Sequence, residues 1–184
     1  MALYWKNISP GLKPPELMNT IIECPKKTQV KYEMSKTTNL IKMDRVLHSS
    51  VIYPQDYGFI PGTMAPDGDA LDILVMISNP TVPGTIIVSR PVGVLIMEDE
   101  KGIDEKILSV AVHDPFYDVF HRLDDIQRHI LDEISEFFRS YKNLEEPKYA
   151  HVKEWQDRER AFDIIKRSIT EFKAEFGDIA TIVP

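Results

Sequence analysis

The sequence predicts an α+β fold, with a barrel of short β-strands at its core and two principal helices packed outside. Short apolar or alternating runs, broken by proline and glycine, fill the first two-thirds of the chain. Two stripes of apolar residues at helical spacing fill the last third. Many short strands at close spacing favour a closed or partly closed barrel, and strands followed by helices is the order of an α+β domain.

The elements follow in order. Asn19 to Glu23 is a short strand stopped by Pro25, and Val30 to Met34 alternates with period two, which puts Lys31 and Glu33 on one face. Leu40 to Leu47 is a third strand, and Val51 to Tyr53 a fourth ahead of Pro54. Ile73 to Ile77 is a compact apolar run; Thr85 to Val88 and Val92 to Met97 flank Arg90-Pro91; Ile107 to Val112 closes the series. The stripe Ile126, Ile130, Ile134, Phe137 and Tyr141 predicts a helix from Asp124 to Lys142, with Asp124 or Asp125 at its start. Tyr149 to Trp155 is extended, and Phe162, Ile165, Ile169 and Phe172 make a second helix ended by Gly177.

A length of 184 residues suits one domain over 1–184, and 43% hydrophobic with 28% charged residues is an ordinary globular composition. No stretch reaches the roughly 18 apolar residues of a membrane span. Met1 to Leu12 carries Lys6 and no apolar run, unlike a secretory signal, and the single Cys24 has no internal partner. A cytoplasmic protein without membrane contact is expected. The net charge of −7 disfavours nucleic-acid binding, which depends on Lys and Arg neutralising phosphates. It leaves room for a phosphate substrate if divalent cations sit between the anion and the carboxylates.

Asp67-Gly68-Asp69-Ala70-Leu71-Asp72 places three carboxylates within six residues, just before an apolar run. Oxygen-rich clusters suit hard cations, although a solvated acidic turn explains the segment alone about as well. A calcium EF-hand loop starting at Asp67 is excluded, because its sixth position has Asp72 and its twelfth Ser78. A second acidic segment, Glu98 to Lys106, reads as a charged hairpin turn. Two acidic loops on one rim would suit a two-metal site. Lys31, Glu33, Arg45, Tyr53, Tyr57, Tyr141 and Lys142 each have a bland structural explanation when taken singly. The five histidines show no zinc-type spacing.

Taken in order, these pieces carry a resemblance. Ile22-Glu23-Cys24-Pro25, Lys31-Tyr32-Glu33, Asp44-Arg45, Tyr53 to Ile60, Asp67 to Val75, Arg90 to Leu95, Met97-Glu98-Asp99, Asp104-Glu105-Lys106 and Phe137 to Lys142 resemble the soluble family I inorganic pyrophosphatases of the bacterial OB-fold barrel type. The likeness runs from about Ile21 to Trp155. It implies a five-stranded OB-like closed β-barrel with additional strands, hydrolysing pyrophosphate to two orthophosphates with several Mg2+ per site. Asp67, Asp72, Asp99, Asp104, Glu33 and Glu23 would ligate metal, and Asp69 would be the general base acting on a metal-bridged water. Asp67, Asp72 and Tyr57 would take part in catalysis. Lys31, Arg45, Tyr57, Lys106, Tyr141 and Lys142 would grip the phosphoryl groups, with Tyr53 supporting the pocket. No covalent intermediate is required, and Cys24 is a packed residue. The resemblance also implies a homo-oligomer, with a hexamer favoured at this length.

The chain departs from the family pattern at Ala70, where Pro or Glu is usual, and the segment between Glu23 and Lys31 is about one residue shorter. Crowded carboxylates predict raised pKa values in the metal-free protein. Two other readings share the barrel: a two-metal hydrolase of nucleotides or polyphosphate, and a non-catalytic OB-type binding module, which would need a basic, aromatic-lined face.

Overall fold

The computed structural model describes residues 7–145 and 147–177; the first six residues of the N-terminal segment lie outside them. The strands are β1 (Met18–Cys24), β2 (Val30–Met34), β3 (Ile41–Val46), β4 (Asp56–Phe59), β5 (Asp72–Met76), β6 (Ile86–Asp99), β7 (Gly102–Ala111) and β8 (Ala150–Gln156). The helices are α1 (Arg128–Ser140) and α2 (Arg158–Phe176). No helix among the described residues is long and apolar enough to cross a membrane.

The ladder runs β1–β4–β5–β7–β6 and returns to β1 through the pairing of Met18 to Ile21 with Ile86 to Ser89. Only β5 and β7 are parallel; the other neighbours are antiparallel. This is the OB-like arrangement expected. β8 extends it at the far half of β6, and β2–β3 forms a separate hairpin.

Both faces of β5 are buried, which is why Ile73 to Met76 is continuously apolar rather than alternating. Leu74 and Met76 join Leu95, Met97, Leu108 and the α1 residues Phe137 and Phe138. Ile73 and Val75 join Val94, Ile107 and the α2 residues Ile164 and Ile165 on the other side. Each helix therefore covers one face of the same strands.

Four expectations need correction. Val51 to Tyr53 is not a strand: Tyr53 exchanges backbone bonds with Lys27 and Thr28 (2.8 and 2.9 Å), and Pro54 has no N–H to continue a ladder. The strand is β4, just beyond, where Gly58 lies so close to β1 that a Cβ would sit 1.9 Å from the Ile21 carbonyl oxygen. Thr85 to Val88 and Val92 to Met97 belong to one strand, since a register shift between Pro91 and Gly93 lets β6 pass the proline. β7 begins at Gly102, so Asp104 sits on a strand and not in a loop. Finally, α1 starts at Arg128, because the Asp125 carboxylate accepts from the His121 and Arg122 N–H groups (2.8 and 3.1 Å) and closes a separate 3-10 turn.

α2 keeps its expected end at Gly177, where φ is 73°. Its buried face is turned toward Ala161, Ile164 and Ser168 beside Ile165 and Phe172, while Phe162 lies beneath the Arg158 guanidinium, 5.5 Å away. Cys24 is fully buried; its sulfur accepts from Tyr32 N–H (3.3 Å) and ties the end of β1 to β2.

Candidate active site

A cleft of about 730 Å3 opens where the β2–β3 hairpin, the loop before β5, the β6–β7 hairpin and the end of α1 meet. Strand register explains how distant residues arrive there. Lys31 and Arg45 are cross-strand partners on β2 and β3. On β7, Asp104 and Lys106 are two apart and share a face, while Glu105 points to Arg167 and Arg160 of α2. The parallel pairing of Ile73 with Ile107 sets Asp72 next to Lys106. Asp99 ends β6, and Tyr141 and Lys142 follow α1 directly. Glu23, Glu33, Tyr53, Tyr57, Asp67 and Asp69 complete the lining, so every site residue expected from the sequence borders this one cleft.

Lysine–carboxylate pairs organise its charge. Lys106, 4% exposed, pairs with Asp72 and with Asp104 (2.8 Å) and donates to the Tyr57 hydroxyl (3.3 Å). Lys142 reaches Asp99 (2.9 Å) and Glu100 (3.1 Å), and Lys31 reaches Glu33 (2.8 Å) and Asp44 (3.8 Å). Lys101 bridges Asp67 (3.0 Å) and Asp69 (3.4 Å), and Lys36 also pairs with Asp69.

The carboxyls consequently split. Burial pushes Glu23 up to about 7, against a hydrogen bond from Met34 N–H and with added repulsion from Asp72. Burial also raises Asp104, with Lys106 opposing and Asp72 reinforcing. At Asp69 and Asp99 burial acts upward too, but Lys36 with Lys101 at the first, and Lys142 at the second, hold the groups below the usual range. The expectation of raised carboxyls holds at Glu23 and Asp104 and fails at Asp69 and Asp99, because ammonium groups outweigh carboxylate crowding there.

Comparison with known proteins meets the same pattern. The family model described as Inorganic pyrophosphatase matches residues 20–173. The chain belongs to the inorganic pyrophosphatase family. A relative from Haloferax volcanii named inorganic pyrophosphatase is 41% identical over 177 residues, 96% of this chain and 100% of its own. One of the same name from Nostoc is 47% identical over 164 residues, 89% of this chain and 96% of its own. The crystal structure of inorganic pyrophosphatase from Thermus thermophilus superposes with a TM-score of 0.91 at 40% identity, covering 93% of this chain and 99% of that one.

Inorganic pyrophosphatases of this family are metal-dependent hydrolases, and the donor set here fits a hard divalent cation. It consists of carboxylate oxygens, with no histidine or cysteine in the lining. Among the described residues, no group of three or more such donors is preassembled into a metal cluster. The reason lies in the pairs above: Lys101, Lys36, Lys106 and Lys142 hold the same oxygens.

The pyrophosphatase signature loop is built locally. Asp67 accepts from Asp69 N–H (3.0 Å), and the Thr63 hydroxyl accepts from Leu71 N–H (3.0 Å) and donates to the Ile60 carbonyl (2.5 Å). Ala70 is only partly exposed and packs against the cluster of Ile21, Phe59 and Phe172, so it serves as an apolar contact.

Sequence reasoning missed several residues. Glu145 is 5% exposed and binds the Arg45 guanidinium (2.7 Å), fixing it toward the cleft. Lys36, Glu100 and Lys101 also line the site. Lys101 and Glu100 stand inside the acidic segment already noted, so their position was visible; nothing local marks Lys36 or Glu145. None of the five histidines borders the cleft.

Proposed function

We propose that this chain hydrolyses inorganic pyrophosphate to two orthophosphates, as an inorganic diphosphatase with Mg2+ as its metal. The observation that carries this is one cleft in which carboxylates are interleaved with Lys and Arg, Lys106 and Lys142 among them buried, in a chain of the inorganic pyrophosphatase family.

Asp67, Asp72, Asp99 and Asp104 would hold the cations, with Glu33 and Glu23 further out. When bound, Mg2+ would lower the pKa of water and neutralise phosphoryl charge. Asp69 remains ionised at neutral pH, since its pKa is lowered, and can accept a proton from the attacking water. Lys31, Arg45, Lys106 and Lys142 each present fixed positive charge, suited to the transferring and leaving phosphates. Tyr57 and Tyr141 stay protonated, because burial raises both phenols, and so can donate to phosphate oxygens. Tyr53, 2% exposed, packs at a tilt against the Phe137 ring, centroids 4.9 Å apart, and supports that wall. The lining needs no nucleophilic Ser or Cys for this chemistry, and no covalent intermediate forms.

Pyrophosphate is favoured over nucleotides because the aromatic rings of the lining are buried: Tyr53, Tyr57, Phe59, Phe138 and Tyr141 are each no more than 8% exposed, leaving no face for a base to stack on. The same burial argues against an OB-type nucleic-acid-binding module. A single domain over 1–184, a homo-oligomer with hexameric assembly and a cytoplasmic location complete the proposal, the assembly resting on the family resemblance and the location on the composition and the single cysteine. The decisive assay measures phosphate release from pyrophosphate, ATP and tripolyphosphate with Mg2+ and with chelator. Absence of pyrophosphate turnover, or equal turnover of ATP, defeats the proposal.

A further inference from the structure

Each carboxylate oxygen of Asp67 and Asp69 already faces a donor in this arrangement. Asp67 Oδ1 accepts from Asp69 N–H (3.0 Å) and Oδ2 faces Lys101 Nζ (3.0 Å). Asp69 Oδ1 is taken by Lys36 and Oδ2 by Lys101 (3.4 Å). The two lysines come from different hairpins. Lys36 lies between β2 and β3, Lys101 in the turn between β6 and β7, and they close on the signature loop from two sides. Their side chains are 62% and 56% exposed, whereas Lys106 and Lys142 are 5% and 9% exposed. An ammonium on a long, solvated stem gains little from such a pair and leaves readily; a buried one has nowhere else to go.

We infer that Lys36 and Lys101 are exchangeable stand-ins for the divalent metal, which hold Asp67 and Asp69 in the metal-free protein and are displaced when metal binds. The inference rests on the proposed reading of Asp67 as a ligand and Asp69 as the base. It extends that reading in two ways. Metal entry is a competition with tethered ammonium groups, so metal affinity is set partly by residues that are not ligands. The base is also engaged until the metal arrives: Lys36 and Lys101 sit on the two oxygens of Asp69 and compete with water for them. With a cation held by Asp67, Lys101 would leave both aspartates, Lys36 would be the remaining ammonium on Asp69 until it too is displaced, and both lysines would then stand at the mouth of the cleft.

Titration of the full-length, metal-free protein with Mg2+ alone, followed by calorimetry, tests the competition. Lys36→Met and Lys101→Met should each bind Mg2+ roughly two- to five-fold more tightly than wild type, the scale of an exposed ion pair, and the double variant more tightly still. Lys166→Met, which removes an equal charge from an exposed site on α2, serves as the control. In the wild-type protein, amine-selective acetylation read by mass spectrometry should rise severalfold at Lys36 and Lys101 on adding Mg2+ and stay constant at Lys166. Unchanged affinity in the hairpin variants, an equal gain in Lys166→Met, or unchanged labelling overturns the exchange. Absence of any saturable Mg2+ binding by the wild type would defeat the ligand reading of Asp67 itself, and the exchange with it.

Discussion

At the floor of the cleft, the Lys106 side chain is 5% exposed and wedged between Asp72 and Asp104; at its mouth, the Lys101 side chain is 56% exposed and reaches over Asp67 and Asp69. The chemical pairs are the same, an ammonium between two carboxylates, but solvent makes them different devices. At the floor, the Tyr57 and Phe138 rings flank the ammonium at 5.6 and 5.9 Å, and losing either partner strands a charge. At the mouth, water compensates for every lost contact. A site that must hold phosphate geometry and still admit metal has a use for both.

The largest effect is expected at the Asp69 carboxylate, at the mouth of the cleft. Asp69→Asn should lower kcat by roughly 10²- to 10⁴-fold with pyrophosphate still bound, in steady-state assays combined with binding titration. Near-normal turnover would remove Asp69 as the base. For stability, Lys106→Met should cost the metal-free protein about 3–5 kcal/mol in urea unfolding, since it leaves Asp72 and Asp104 uncompensated. A loss below 1 kcal/mol would show that the floor is as solvated as the mouth.

Glu23 makes the stability of the cleft depend on pH. Its pKa rises from 4.5 to about 7 on folding, so between those values the folded state holds a proton that the unfolded chain has lost. Stability of the metal-free protein should therefore fall as pH rises through that window, and Glu23→Gln should remove about 2 kcal/mol of the fall. Urea midpoints at pH 5 and 7.5 measure it, and an unaltered pH dependence would refute the assignment. The smallest effect is expected at the mouth, where Lys101→Met should change metal-free stability by no more than about 1 kcal/mol. A cost like that of Lys106→Met would erase the distinction.

The legibility of the fold followed from where apolar residues repeat. β1, β2, β3 and β5 were readable because their side chains alternate or run continuously apolar, and α1 and α2 because their stripes recur every three to four residues. β4 was misplaced because Asp56-Tyr57-Gly58-Phe59 has no apolar run; it is a strand because Gly58 lets two backbones meet. The start of α1 was misplaced because Asp125 caps a preceding turn, and that choice depends on where His121 and Arg122 lie.

The site divides similarly. Most of the residues that line the cleft were legible in the sequence because Asp67 to Asp72, Asp104 to Lys106 and Tyr141-Lys142, taken in order, resemble the pyrophosphatase family, although each segment alone reads as a charged turn, strand or helix end. Which charge faces which depends on how the strands and helices pack. Lys106 meets Asp72 through the register of two parallel strands 34 positions apart in sequence, and Arg45 is aimed by a Glu145 buried beyond α1. Packing also decides which pairs are locked and which can exchange, since exposure belongs to the packed molecule and is written in no single segment of the chain.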